Sequence, residues 1–432
     1  MANDFIGAQL GNVGQQIERG ELRAAATLLN ALVKSAPRDP RIHFLAASMA
    51  QKAGNLPACI QSLERSLDLS PDWVDAHVAR IRAMSQLGEH QLALDASTEA
   101  LDLCGEHLAL LEMASAVADR ADDIDAQEKF LERAAMLAPQ RVDILNALAV
   151  CSQRLNHLDN AEKMYQRTRD LAPGNVIAIS GMAAIAEMRG DVEAATRDMT
   201  LARKLAPDDP VIAFNLAAAT GEVPATMPDV MVSSLFDSYA ARFDTELVGD
   251  LRYGVPRRFA EIIVERHPDR RVDVLDLGSG TGLVGVYLAP MEGALVGVEL
   301  SGKMIEQAAK HGLYHRFHQV NLLDALMHTP PAQYDVITAA DVFIYVGDLT
   351  QAIPNAYNIL RPGGMLLFSC ESTVEGEPDL LLRPTNRFAH SEASIRRLCE
   401  SAGFSTISIE AATLRNEGGE PLVGFICRAE RV

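Results

Sequence analysis

Pro37, Pro71, Pro139, Pro173 and Pro207 stand at multiples of 34 residues from one another, and Gly105 fills the missing slot. A period of that length points to a repeated supersecondary unit rather than one closed globular core. A second column at the same spacing reads Gly20, Gly54, Gly88, Asp122, Asn156 and Gly190, residue types that suit the left-handed turn ending a helix. A third reads Ala25, Cys59, Ala93, Gln127, Ala161 and Ala195, mostly small side chains where two helices approach closely. Each unit is therefore helix, tight turn, helix, and then a residue that stops the second helix. One such hairpin cannot bury its own apolar stripe. Stacked neighbours can, and they build a curved solenoid with a concave face.

The units resemble tetratricopeptide repeats, six of them over roughly residues 6–209, followed by a half-unit at 211–220 suited to cap the open end. That resemblance implies a scaffold holding another protein in its concave face. Arg41, Ser48, Arg82, Glu112, Asn146, Gln153 and Glu187 are expected to line it; they are a mixed set without a concentrated basic clamp, and they name no partner. Residues 221–229 (GEVPATMPD) break the period with two prolines, marking a linker between a repeat domain over 1–220 and a second domain over 230–432.

The second domain has a different rhythm. After helical stretches at 230–251 and 255–266, strand-like runs at 272–277, 294–298, 317–320, 334–339 and 365–369 alternate with helical ones. Two last strands, 405–411 and 422–428, are joined through a glycine-containing loop at 415–420. Alternation predicts a parallel sheet covered on both faces, and the final hairpin predicts an antiparallel strand. The expected fold class is α plus α/β: an all-α solenoid followed by a Rossmann-like, seven-stranded domain with a C-terminal antiparallel strand. Ligands on such sheets bind beyond the carboxyl ends of the strands.

A glycine-rich turn, DLGSGTG at 276–282, follows the first of these strands. Its glycines let backbone approach a ligand, and the next helix offers unpaired N–H groups. Gly280, Gly282 and Gly285 also match dinucleotide-fold spacing, which would make the chain a nicotinamide-dependent oxidoreductase. Charge argues against that. Asp276 would stand beside a pyrophosphate and repel it, whereas the sulfonium and ammonium of S-adenosylmethionine would be welcomed. Glu299 ends the second strand, 23 residues after Asp276, where a carboxylate can accept from both ribose hydroxyls. Leu300 and Met304 follow at positions able to cover an adenine face, and Asn321 with Leu322, or alternatively Asp324, comes after the third strand to meet the adenine edge.

These residues, with ADV at 340–342 and LRPGG at 360–364, resemble the class I S-adenosylmethionine-dependent methyltransferases over roughly residues 235–428. More narrowly, LFDSYAARFD at 235–244, RFAH at 387–390 and TLRNE at 413–417 resemble predicted bacterial methyltransferases that carry an N-terminal tetratricopeptide array. The resemblance implies S-adenosylmethionine as cofactor, with Gly278, Gly280 and Gly282 as its loop, Asp276 near the methionine part and Glu299 on the ribose. Asn321 falls where the family commonly has Asp. Tyr239 and Phe243 fall on a helix that in many relatives closes over the cofactor; a simple amphipathic stripe would explain them equally. Asp341 and Tyr345 at the cofactor mouth and His390 after the fifth strand are the candidate catalytic groups. Arg383 and Arg387 are candidates to bind an acidic acceptor.

A formal net charge of −19, divided as −10 over residues 1–227 and −9 over 228–432, argues against nucleic acid as a partner. The absence of an NPPY-type tetrad after the fourth strand argues against amide-nitrogen and adenine-nitrogen acceptors in nucleic acid, leaving a small molecule or a protein. No apolar run is long enough to span a bilayer and residues 1–10 carry no secretion signal, so a cytoplasmic protein off the membrane is expected. The six cysteines are scattered without a CxxC pair, and Gly312 interrupts the helical spacing of His311, His315 and His318, so no metal site is expected. The expected function is an S-adenosylmethionine-dependent methyltransferase whose array positions a protein; the rival is a cofactor-binding adaptor or sensor with little or no turnover.

Overall fold

The computed structural model describes residues 2–240, 243, 253–417 and 419–432, in two compact units, Met1–Leu205 and Ala206–Val432. The remainder of the helix expected over 230–251 lies outside the described residues.

The first unit is all helical. After α1 (Ala2–Glu18), one series begins at 34-residue intervals: α2 (Leu22–Ser35), α4 (Leu56–Leu69), α6 (His90–Cys104), α8 (Ile124–Leu137), α10 (Leu158–Leu171) and α12 (Val192–Leu205). Between them lie α3 (Pro40–Lys52), α5 (Val74–Gln86), α7 (Leu108–Arg120), α9 (Val142–Arg154) and α11 (Val176–Met188), at the same interval. The turn column adopts the left-handed backbone throughout, including Asp122 (φ 58°) and Asn156 (φ 60°), whose short polar side chains tolerate it. Ala25, Ala93 and Ala161 are fully buried where successive helices pack, and an apolar core runs unbroken from Ile81 to Ile185. A cavity of about 740 Å³ opens in this unit, and of the residues expected to line a groove Asn146 stands in its wall.

The second unit begins with α13 (Pro210–Thr220), the half-unit expected to cap the array. Its Phe214 is buried with Met227 and Phe388, meeting the Phe388 ring edge-on at 6.4 Å. Packing therefore places this helix with the second unit, and the division falls at Leu205 rather than at residue 220. Two helices follow, α14 (Asp229–Tyr239) and α15 (Val255–Arg266).

The sheet has nine strands, not seven: β1 (Val274–Leu277), β2 (Leu295–Val298), β3 (Arg316–His318), β4 (Tyr334–Ala339), β5 (Leu360–Ser372), β6 (Leu380–Leu382), β7 (Phe388–His390), β8 (Thr406–Glu417) and β9 (Glu420–Glu430). Strands β3, β2, β1, β4 and β5 pair in parallel, in that order. β9 enters antiparallel between β5 and β8. The two unexpected strands form a short hairpin: β7 pairs with Glu371 and Ser372 of β5, beyond the point where β4 ends at Ala339. Residues 415–417, expected in a loop, extend β8. The helices α16 (Leu283–Leu288), α17 (Gly302–Lys310), α18 (Leu322–His328), α19 (Ala352–Ile359) and α20 (Glu392–Ala402) complete the layers. Among the described residues, no helix is long and apolar enough to cross a membrane.

Candidate active site at the carboxyl ends of the strands

The parallel register of β1 on β2 sets Leu277 beside Val298, so both strands release their chains at one level. A cavity of about 380 Å³ lies there. Gly278 and Gly280 line it in left-handed conformations, with φ of 60° and 52°. A Cβ at Gly280 would meet nothing nearer than the Phe243 ring at 4.0 Å, so the turn presents bare backbone to the cavity. Glu299, 6 % exposed, lines the same space and ties the turn to the next helix. One carboxylate oxygen accepts from Gly280 N and the other from Ser301 N, both at 2.9 Å. Burial raises its pKa, opposed by these N–H groups. Each oxygen keeps a lone pair beyond the bond it has made, so a vicinal diol can still be received. The bare turn and this carboxylate fit the adenosyl and methionine parts of S-adenosylmethionine.

Asp276 is placed differently from the expectation. It is 1 % exposed and lies under the turn instead of in the cavity wall, accepting from Tyr314 Oη and Thr338 Oγ1, each at 2.6 Å. Desolvation pushes its pKa up to about 6 against the pull of both hydroxyls. Tyr314 fills the room left by absent side chains at Gly282 and Gly285, where a Cβ would come within 3.0 and 2.6 Å of its ring. Gly282 thus serves close packing, outside the cavity wall. Met304, expected over adenine, is fully buried on α17 and also outside the wall. An apolar residue three positions into a helix faces whatever that helix packs on, and here that is the protein interior.

Leu300, Asn321, Leu322, Tyr239 and Phe243 do line the cavity. Asn321 is the N-cap of α18: its Oδ1 accepts from Leu323 N at 2.7 Å, and its Nδ2 donates to Asp229 of α14 at 2.5 Å. Ser301, capping α17, donates to Asp237 of α14. Both ends of α14 are thereby fastened over the β2 and β3 side of the cavity. Asp324, the alternative to Asn321, is exposed on α18 away from the wall.

On the opposite side stand Asp341 and Tyr345. Asp341 has φ 55°, rare for a non-glycine residue, and is held by Ser369, which donates to it and accepts from its N–H, and by Arg415. Arg415 is 5 % exposed and reaches Glu371 with its other nitrogen at 2.9 Å. Burial opposes its charge, but Asp341 and Glu371 outweigh that and raise its pKa. Burial raises the Tyr345 hydroxyl. Arg387 lines the cavity while paired with Glu417 at 2.7 Å; Arg383 instead binds Glu377 and the Ser372 carbonyl outside it. His390 is buried, with Nε2 on the Gly347 carbonyl at 2.9 Å and its pKa lowered by desolvation. It is not in the cavity wall. The sequence reading missed Arg415, Glu371, Phe236 and Tyr253. The first two meet across strands 44 residues apart, and the run 413–417 carried a family signal without a role.

Residues 275–366 match a methyltransferase domain family. An uncharacterized methyltransferase of Bacillus pumilus is 33 % identical over 184 residues, covering 42 % of this chain and 79 % of that protein. The ubiquinone biosynthesis O-methyltransferase of an Azoarcus species is 30 % identical over 157 residues, 32 % of this chain and 67 % of that one. Among solved structures, magnesium protoporphyrin IX methyltransferase from Synechocystis, with S-adenosylhomocysteine bound, is 20 % identical with a TM-score of 0.38, covering 47 % of this chain and 99 % of that one. A glycine turn and ribose-ready acid at adjacent strand ends, together with a relative matched over 79 % of its length, lead to one assignment. The chain belongs to the class I S-adenosylmethionine-dependent methyltransferases, with the catalytic domain following an all-helical region.

Proposed function

We propose that the 380 Å³ cavity holds S-adenosylmethionine with its ribose on Glu299, its methionine part along the turn at Gly278 and Gly280 and its adenine between Leu300 and Leu322, and that the methyl group passes to an acceptor beside Asp341 and Tyr345. The observation that carries this is the Glu299 carboxylate, buried yet in the cavity wall and locked to the Gly280 amide. When bound, the cofactor supplies a methyl group already made electrophilic by the sulfonium. The chain's work is then to align the acceptor and exclude water. Phe236, Tyr253 and Tyr345 form an aromatic wall that suits an apolar, planar acceptor group, and the O-methyltransferase names among the relatives suit a hydroxyl on it. Tyr345, its hydroxyl kept protonated at neutral pH, donates a hydrogen bond to that group. Asp341 is the cavity carboxylate positioned to take a proton the acceptor must lose, its rotamer held by Arg415 and Ser369.

The helical region acts as a tetratricopeptide array that brings a protein to the enzyme in the cytoplasm. Its support is the 34-residue recurrence of helices and left-handed turns. The acceptor is a small molecule or that protein itself. Calorimetry with S-adenosylmethionine tests the first layer: the full chain binds, and Glu299→Gln binds at least about thirtyfold more weakly, the equivalent of roughly 2 kcal/mol for lost charge-assisted hydrogen bonds. Equal binding by both proteins refutes the ribose assignment. Transfer of radiolabelled methyl groups into lysate then separates enzyme from sensor, and protein-bound against extractable label separates the two acceptor classes.

A further inference from the structure

The adenine edge has an unexpected owner. Asn321 stands where the family commonly supplies an acid, yet its amide is already committed in both directions: Oδ1 caps α18 through Leu323 N, and Nδ2 donates to Asp229 Oδ1. One lone pair remains on that neutral oxygen, and it is a weaker acceptor for an exocyclic amine than a carboxylate is. Asp229 belongs to the first turn of α14, 92 residues earlier in the chain, and lines the cavity together with Leu300, Val320, Asn321 and Leu322. Its other oxygen, Oδ2, accepts no hydrogen bond among the described residues.

We propose that Asp229, held in place by Asn321, is the carboxylate that reads the N6 amine of the cofactor's adenine. This rests on the adenine lying between Leu300 and Leu322, as proposed above. The chemistry selects for it: an amine donor is met by a charged acceptor, while a carbonyl oxygen at the same position would face the carboxylate with no proton between them. Because the reader sits on α14 and not on the sheet, recognition of the base and fastening of α14 are one event. At its far end the same helix is tied through Asp237 to Ser301, whose N–H holds Glu299. Asn321 is the positioning residue in this arrangement.

Calorimetric titration of the full chain with S-adenosylhomocysteine and with S-inosylhomocysteine, which has a carbonyl oxygen in place of the N6 amine, tests the proposal. The wild-type protein should prefer the adenine compound by at least about tenfold, the lower end expected for a hydrogen bond to a charged group. In Asp229→Ala that preference should collapse to within about threefold, chiefly because the adenine compound loses affinity, with Asn321→Ala intermediate. A helix merely loosened by mutation would weaken both compounds alike and leave their ratio unchanged. An Asp229→Ala ratio equal to that of the wild type therefore overturns the assignment. A wild-type ratio near one overturns it as well, while leaving the ribose site intact if Glu299→Gln still loses affinity. Failure of the wild type to bind either compound removes the cofactor placement and this inference with it.

Discussion

Replacing Asp276 by asparagine should remove a pH-dependent loss of stability from the second unit between about pH 4 and 6, the interval between the carboxyl's unfolded and folded titrations. The folded carboxyl titrates at about 6 because it is desolvated, whereas an unfolded aspartate titrates near 4. At pH 5 the native state thus binds a proton that the unfolded state has released. The group's contribution is fully present below the unfolded value and is lost as pH rises through the folded one. Two pKa units at 1.36 kcal/mol each make the loss about 3 kcal/mol in total. Asp273, Glu410 and Glu417, whose pKa values are lowered, act with the opposite sign, but they are common to both proteins and cancel in the difference. Asparagine keeps an oxygen for one hydroxyl, and the other can turn to accept from its amide. Urea unfolding at pH 4.5, 5.5, 6.5 and 7.5 measures the difference. The single tryptophan, Trp73, lies in the other unit, so unfolding is read by hydrogen-exchange labelling of the peptide containing β1. The variant should gain on the wild type by about 2 kcal/mol between pH 4.5 and pH 7.5, the part of the total that falls inside that window. A difference independent of pH would refute the claim that burial, and not the cofactor cavity, dominates the Asp276 environment.

Gly278→Ala and Gly280→Ala should part company. At Gly278 a Cβ would lie 2.5 Å from Val342 Cγ2 with φ at 60°, so left-handed strain and overpacking combine to roughly 2–4 kcal/mol, visible as a lower melting temperature. At Gly280 strain alone costs about 1–2 kcal/mol, but the methyl enters the cavity, so affinity for S-adenosylhomocysteine should fall more than stability does. Calorimetry and thermal melts on both variants decide, and identical profiles would contradict the geometry. Arg415→Met should destabilise the second unit by roughly 3–5 kcal/mol, because Asp341 and Glu371 lose the cation that compensates them; a loss below about 1 kcal/mol in urea unfolding would show that other groups satisfy them.

What could be read from sequence and what could not divides along a physical line. Backbone-determined features were legible. The spacing of prolines and left-handed residues gave every helix pair of the array its register, and β4 and α15 have the expected bounds. Glu299 was legible for the same reason: a glycine turn and the end of the next strand define a corner whatever the side chains beyond it do. Features that depend on which way a side chain leaves the backbone were not. Asp276, one residue before the last of β1, points under the sheet's rim toward Tyr314, and no local pattern distinguishes that from pointing into the cavity. Three-residue strands such as β6 and β7 are too short for alternation to show, and missing them hid why His390 turns inward to Gly347. Asn321 is the clearest case. It falls where the family commonly has Asp, and its amide donates at 2.5 Å to Asp229, a carboxylate supplied by another element. No spacing within 300–324 could reveal that neighbour, because the contact joins residues 92 positions apart and exists only once α14 is laid over the β2 and β3 side of the sheet.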